Sequence, residues 1–138
     1  MPKKVFLIIL LNSTLFSQTL YIIAHKNFPL NTLSKKEIKA VYLDQKRYIN
    51  DKKVLPLNFN HANPLRNSFE KIVLEKSRNF LERYWIKAHY KGHRPPKVLK
   101  SKASVLSFIK ELDNAIGYVD GNISDLKEIK ILLKVKLK

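Results

Sequence analysis

The chain has 138 residues, no Cys and a formal net charge of +16, from 27 Lys plus Arg against 11 Asp plus Glu. One domain is the expectation at that length, and 45% hydrophobic residues suffice for a core, which excludes a disordered basic tail. The lack of Cys excludes a disulfide scaffold, a thiolate metal site and a Cys nucleophile, and three Gly leave little material for a Gly-rich phosphate loop.

At the start, Lys3 and Lys4 precede the apolar run Val5–Leu11, and Ser17 is a small residue suited to the position before a cut. This is the pattern of a secretory signal peptide over residues 1–17. The run is too short for a membrane span, which needs roughly 20 residues. The expected mature chain is residues 18–138, and losing Lys3 and Lys4 lowers its charge from +16 to +14. Its expected location is the periplasm or the medium.

The segment Leu20–Ala24 is rich in β-formers and reads as a buried strand. Ser34 and Glu37 form a capping box, so a helix should run on through Ile38, Val41 and Tyr42. Asp44–Lys53 is polar and turn-rich. Val54–Leu57 reads as a second strand, with Pro56 marking it as an edge. Asn63-Pro64 is a strong helix start, followed by apolar Leu65, Phe69, Ile72 and Val73. Ser77 opens a further helix with Phe80, Leu81, Tyr84, Trp85 and Ala88 inward, and Gly92–Pro96 ends it in an extended stretch. Ser101 opens the last helix, with Val105, Phe108, Ile109 and Leu112 on one face. Ala115–Val119 and Ile129–Leu137 read as strands. Short strands mixed with amphipathic helices predict an α/β domain, a small mixed sheet flanked by helices.

The charge favours anionic partners. It consists of 22 Lys and only 5 Arg, and the lysines are scattered. Arg is the residue that forks onto phosphates and guanine edges, so this make-up speaks against nucleic acid and for a solvated surface. No catalytic constellation stands out. His25, His61, His89 and His93 lack metal-ligand spacing, acids are scarce, and no Ser sits in a nucleophile elbow. The reading is a non-enzyme without metal or cofactor. The most informative stretch is Asn60–Phe69. A helix start presents unpaired N–H groups and the positive end of the helix dipole to an anion. Asn63, the Leu65 N–H and Arg66 are therefore the candidate oxyanion ligands, with Asn60, His61, Gly117 and Tyr118 as supporting residues. The competing reading has Asn63 capping its own helix and Arg66 pairing with Glu70.

Four blocks resemble one family in order and spacing. They are LSKKEIKAVYLDQKRYI (33–49), VLPLNFNHANPLRNSFEKIVL (54–74), YWIKAHYKGHRPPKVLKS (84–101) and AIGYVDG (115–121). Together they look like a small, single-lobe relative of the periplasmic phosphate-binding proteins of ABC transporters. The resemblance implies a type II periplasmic-binding-protein-like domain over residues 18–138 and an oxyanion ligand, inorganic phosphate or a similar ion. It also implies a membrane transporter, or a second protein completing the site, as partner. The family's Ser-Gly-Thr or Ser-Pro element matches Asn63, Pro64 and Leu65, and Arg66 matches an Arg of the small relatives. The family's usual Gly after the Phe-Leu pair is Asp44 here, its Trp is Tyr48, and an Arg of its strand-to-loop segment is Phe59. The leading expectation is an exported oxyanion-binding module serving an ABC transporter. The alternative is a basic periplasmic adaptor that binds an envelope protein or anionic polymer, with no small ligand.

Overall fold

The run of apolar residues in β1 (Thr19–His25) is continuous because the strand lies inside a sheet covered on both faces. The computed structural model describes residues 18–123 and 127–137; the expected export signal, residues 1–17, lies outside the described residues. The further strands are a two-residue hairpin, β2 (Tyr48–Ile49) and β3 (Lys52–Lys53), then β4 (Leu55–Phe59), β5 (Lys97–Leu99), β6 (Ala115–Asp120) and β7 (Ile129–Lys136). The helices are α1 (Lys35–Tyr42), α2 (Pro64–Phe69) continued by a π turn (Glu70–Leu74), α3 (Arg78–Tyr90) and α4 (Lys102–Glu111). Every one of these elements lies between Thr19 and Leu137. Among the described residues, no helix is long and apolar enough to cross a membrane.

The main sheet has the order β5-β4-β6-β1-β7. β4 runs parallel to β5 and β6, whereas β1 is antiparallel to both β6 and β7. This mixed sheet flanked by helices agrees with the α/β class read from the sequence. Side chains alternate across it. At Gly117 an added Cβ would meet Val105 of α4 at 2.9 Å, so α4 covers that face. The next residue, Tyr118, turns to the opposite face and stacks on Phe69 of α2 at 4.0 Å between ring centroids. Tyr42 of α1 closes the same cluster edge-on to Phe69, and its hydroxyl donates to the Leu57 carbonyl at 2.7 Å.

The local signals at helix starts hold. Ser34 accepts the Glu37 N–H and the Glu37 carboxylate accepts the Ser34 N–H, completing the capping box. Asn63, Ser77 and Ser101 each cap the helix they precede. Three expectations change. β4 is an interior strand, not an edge. It tolerates Pro56 because β5 begins pairing only at Leu57, so Leu55 and Pro56 have a strand neighbour on the β6 side alone. Phe80 is 44% exposed rather than inward, because Leu81 and Ala88 carry the buried stripe of α3. The polar segment 44–53 contains the β2–β3 hairpin, turned at Asn50 and Asp51, both with positive φ.

Asp44 has φ 58°, in the left-handed region that favours Gly and tolerates Asp. Its carboxylate accepts the Arg94 N–H at 3.0 Å and pairs with Arg47 at 3.1 Å and His93 at 3.3 Å. It thereby ties the turn after α1 to the loop after α3. Partial burial alone would raise the pKa of this carboxyl. The Arg94 N–H, Arg47 and His93 outweigh burial and hold it below the usual carboxylate value.

Two outcomes follow. Gly117→Ala overpacks the sheet against Val105 and should lower stability by about 1–3 kcal/mol, read from urea unfolding. An unchanged midpoint would show that α4 does not lie that close. Asp44→Asn should lower the unfolding midpoint at neutral pH. The folded-state pKa is depressed, so the carboxylate's contribution is present above about pH 4 and fades as pH falls through the folded value. The gap between the two proteins should close in acid. A gap constant with pH would disprove the ionic contribution.

Candidate functional site

The three parallel strands β5, β4 and β6 end on one edge of the sheet. In open α/β sheets, ligands bind in the crevice outside the carboxyl ends of such strands. Here that crevice is a cavity of about 250 Å³. Phe59 ends β4, Asp120 ends β6, and the starts of α2 (Asn63, Pro64, Leu65) and α4 (Lys102) also line it. Residues at the starts of two helices therefore line one small cavity, α2 with Asn63, Pro64 and Leu65 and α4 with Lys102.

The donors are unevenly available. Pro64 has no N–H. Asn63 Oδ1 accepts the Leu65 N–H at 2.9 Å, and the Arg66 N–H donates to the Asn63 carbonyl at 3.1 Å. The first turn of α2 thus caps itself. The Asn63 carboxamide still carries its NH2 group, since only its oxygen serves as the cap. Lys102 donates one proton to the Asp120 carbonyl at 2.6 Å, and an ammonium has three. Asn63 and Lys102 carry free donors at the two helix starts of this crevice, and Gln18, which bears a carboxamide, also lines it.

Arg66 turns away from it. Its Nη1 donates to the Phe59 carbonyl at 2.8 Å, and its Nε reaches Glu70 at 3.3 Å. Glu70 is only 3% exposed, and the same oxygen, Oε1, also takes Arg78 of α3 at 2.5 Å. His61 lies beside Arg78 and, with Arg66, lines a second cleft of about 280 Å³ walled by Trp85, Pro95 and Pro96. The structure therefore brings Asn63 and Leu65 to the crevice and places Arg66 and His61 behind it. Asn60 shapes the approach: its side chain accepts the Ala62 N–H at 3.0 Å and its carbonyl the Asn63 N–H at 3.1 Å. Gly117 lies in the core under α4. Tyr118 is 1% exposed and donates its hydroxyl to Asn58 Oδ1 at 2.5 Å. Burial pushes the Tyr118 pKa well above the ordinary tyrosine value, despite the Phe59 N–H and the Arg66 charge, so it serves as a neutral donor beneath the crevice.

Sequence reasoning passed over Lys102 and Asp120, and named Glu70 only as the i+4 partner of Arg66. For Lys102 the sequence marks only the helix start at Ser101, and nothing nearby in the chain places that start at the crevice. Among the described residues, no three His, Asp or Glu stand close enough to hold a metal ion.

The fold matches solved structures of phosphate receptors. An ABC-type phosphate transport receptor from Vibrio cholerae superposes with a TM-score of 0.65 at 17% identity, over 83% of this chain and 45% of that one. A phosphate ABC transporter substrate-binding protein from Clostridium perfringens, solved with bound phosphate, gives 0.64 at 19% identity, over 84% of this chain and 45% of that one. PstS from Borrelia burgdorferi gives 0.64 at 15% identity, over 83% and 46%. At these identities the likeness is one of fold, and this chain spans less than half the length of each receptor. No protein-family model matches the chain, and no curated protein sequence matches it. The class that the fold defines is an α/β domain resembling part of each of these receptors.

The charge cluster behind the crevice makes a direct prediction. Glu70→Ala leaves Arg66 on the Phe59 carbonyl and Arg78 on Asn67 but removes the carboxylate they share, and should cost about 1–3 kcal/mol in urea unfolding. Glu70→Gln retains the shape and one acceptor and should cost less. Equal, small losses in both would remove the cluster as a support of α2.

Proposed function

We propose that the chain is a non-catalytic, extracytoplasmic binding module that takes inorganic phosphate or a similar oxyanion at the crevice between the starts of α2 and α4. The observation that carries this reading is the convergence of two helix starts, the Asn63 carboxamide and the Lys102 ammonium at the carboxyl edge of three parallel strands. Support comes from the fold, which is that of receptors including one solved with bound phosphate.

In this reading the Asn63 NH2 and Lys102 Nζ contact the anion. The Leu65 N–H joins them when an anion oxygen replaces Asn63 Oδ1 as its acceptor. Arg66 acts from behind, by holding the Phe59 carbonyl and adding positive charge beneath the helix. Asn60 and His61 shape the entering loop, Tyr118 lies in the floor, and Gly117, on the opposite face, lets α4 approach the sheet. A single lobe leaves the anion open to water on one side, where each charged contact contributes roughly 0–1 kcal/mol. Tight capture then requires a second wall from another protein, and an ABC transporter or its receptor partner is the fitting class.

Thermal unfolding in low salt, with millimolar phosphate against sulfate and against chloride at matched ionic strength, tests the reading. Ligand at 100 times its dissociation constant adds about 2.7 kcal/mol. Asn63→Asp keeps a favoured helix cap but exchanges the NH2 donor for a negative charge. It should leave the unliganded midpoint within about 1 °C and abolish the phosphate shift. Lys102→Gln should weaken phosphate roughly fivefold. A phosphate shift that survives in Asn63→Asp, or one matched by chloride, refutes binding at this crevice.

A further inference from the structure

The chain presents a second surface, built by the end of α3 and the start of β5. Ile86 is 64% exposed, Tyr90 86% and Val98 52%. Ile86 and Tyr90 lie one helical turn apart on α3 and, with Trp85 and Pro95, line a shallow depression of about 440 Å³. Val98 stands on β5, the outermost strand of the sheet, beyond Pro95 and Pro96. Large side chains so exposed and so close together form a patch that calls for a partner.

The charge around the patch is one-signed. From Arg83 to Lys100 there are six Lys and Arg and no Asp or Glu. All six cations are exposed. Lys26, Arg47, Lys52, Arg66 and Arg78 are paired with carboxylates, whereas many other lysines of the described residues, Lys35, Lys36 and Lys71 among them, are in no such pair. Among the described residues, Lys87 and Lys91 make no such pair. Lys87 and Lys91 stand one position along α3 from Ile86 and Tyr90 and line the neighbouring depression, so cations border the exposed aliphatic and aromatic side chains, which matches one chemistry in particular. It is a surface that carries anionic groups above an apolar layer.

We infer that the Trp85–Val98 face docks on an anionic lipid bilayer. Ile86 and Val98 would enter the boundary between headgroups and acyl chains. Trp85 and Tyr90 suit that boundary because each joins an apolar ring to a polar group. Lys87, Lys91 and Arg94 would meet the headgroup phosphates. The shallowness of the depression fits a planar surface better than an inserted peptide. Aliphatic Ile86 and Val98 have no use in stacking on bases, which favours lipid over nucleic acid. β5 leads from the patch towards Lys102, so docking leaves the crevice at the other end of the strand open.

The chain from Gln18 is the material for the test, because it holds every described strand, helix and core residue and omits the apolar run of residues 5–11. Trp85 is the single Trp and therefore a built-in reporter. Vesicles of phosphatidylcholine with 30% phosphatidylglycerol should pull the protein down and shift Trp85 emission to the blue; vesicles of phosphatidylcholine alone should do neither. Each cation near such a surface contributes about fivefold, so Lys87→Gln with Lys91→Gln should weaken partitioning about 30-fold. Ile86→Ser with Tyr90→Ser should weaken it about tenfold and reduce the blue shift. All four positions are exposed, and a circular-dichroism melt confirms that each variant folds. Absence of binding to the anionic vesicles overturns the inference. Binding indifferent to Ile86→Ser with Tyr90→Ser does so too, because it would be plain polyanion adsorption. An equal affinity for heparin or single-stranded DNA, with the same Trp85 shift, assigns the face to a soluble polyanion and likewise overturns it.

Discussion

Glu70 sits at the point where α2 widens into its π turn, almost wholly out of water, with Arg66 one turn behind it and Arg78 reaching in from α3. A carboxylate does not remain buried and ionised without such partners. The position of α3 against α2 is thus dictated by charge as well as by packing. Arg66 in turn holds the Phe59 carbonyl at the end of β4, so one buried anion fixes a strand end, a helix start and the next helix together. The π turn belongs to the same arrangement. It closes with Glu75 in the left-handed region and the Lys76 N–H on the Glu70 carbonyl, which leaves Ser77 free to cap α3. With α2 held from behind in this way, its first turn can face the crevice without help from a second lobe.

The aromatic cluster performs the corresponding task within the sheet. Phe69, Tyr118, Tyr42 and Phe59 stack in offset and edge-on pairs, which adds orientation to mere burial. The two phenols are the polar members, and each has an acceptor: Leu57 for Tyr42 and Asn58 for Tyr118. Asn58 is itself 6% exposed, and its carboxamide oxygen also receives the Phe59 N–H. The floor beneath the crevice is therefore both apolar and fully specified in its hydrogen bonds. Gly117 is the counterpart on the opposite face, where the absence of a Cβ lets α4 come close and brings Lys102 to the same edge as Asn63.

What the sequence disclosed was the chemistry that acts over a few residues. Ser34 with Glu37, Asn63 with Pro64, Ser77 and Ser101 announce helix starts because a cap needs only neighbours three positions away. The competing, modest reading of Asn63 and Arg66, a cap and an i+4 pair, describes how both sit in the unliganded fold. What stayed hidden depends on distant partners. Lys97–Leu99 is too short for a periodic signal, and it becomes a strand only because β4 lies beside it. Without that strand, the start of α4 cannot be placed at the crevice, so Lys102 was passed over. Arg78 gave no hint of Glu70 because the two sit on different elements. Phe80 misled because apolar spacing on α3 fits two overlapping stripes, and only the buried one touches the core.

The distribution of charge follows from the same economy of contacts. Among the described residues, Lys102 is the one lysine that lines the crevice, where Asp120 also stands. Under the proposed function, directed donors rather than bulk attraction would hold an anion there. The bulk attraction lies elsewhere, in the run from Arg83 to Lys100. That segment has little structural use for its cations, since Arg94 meets Asp44 through its backbone N–H and Lys87 and Lys91 face water. Mutual repulsion among six like charges lowers the stability of the free protein. A surface that carries such a cost while also exposing Ile86, Tyr90 and Val98 makes physical sense where an anionic, partly apolar partner relieves both penalties at once.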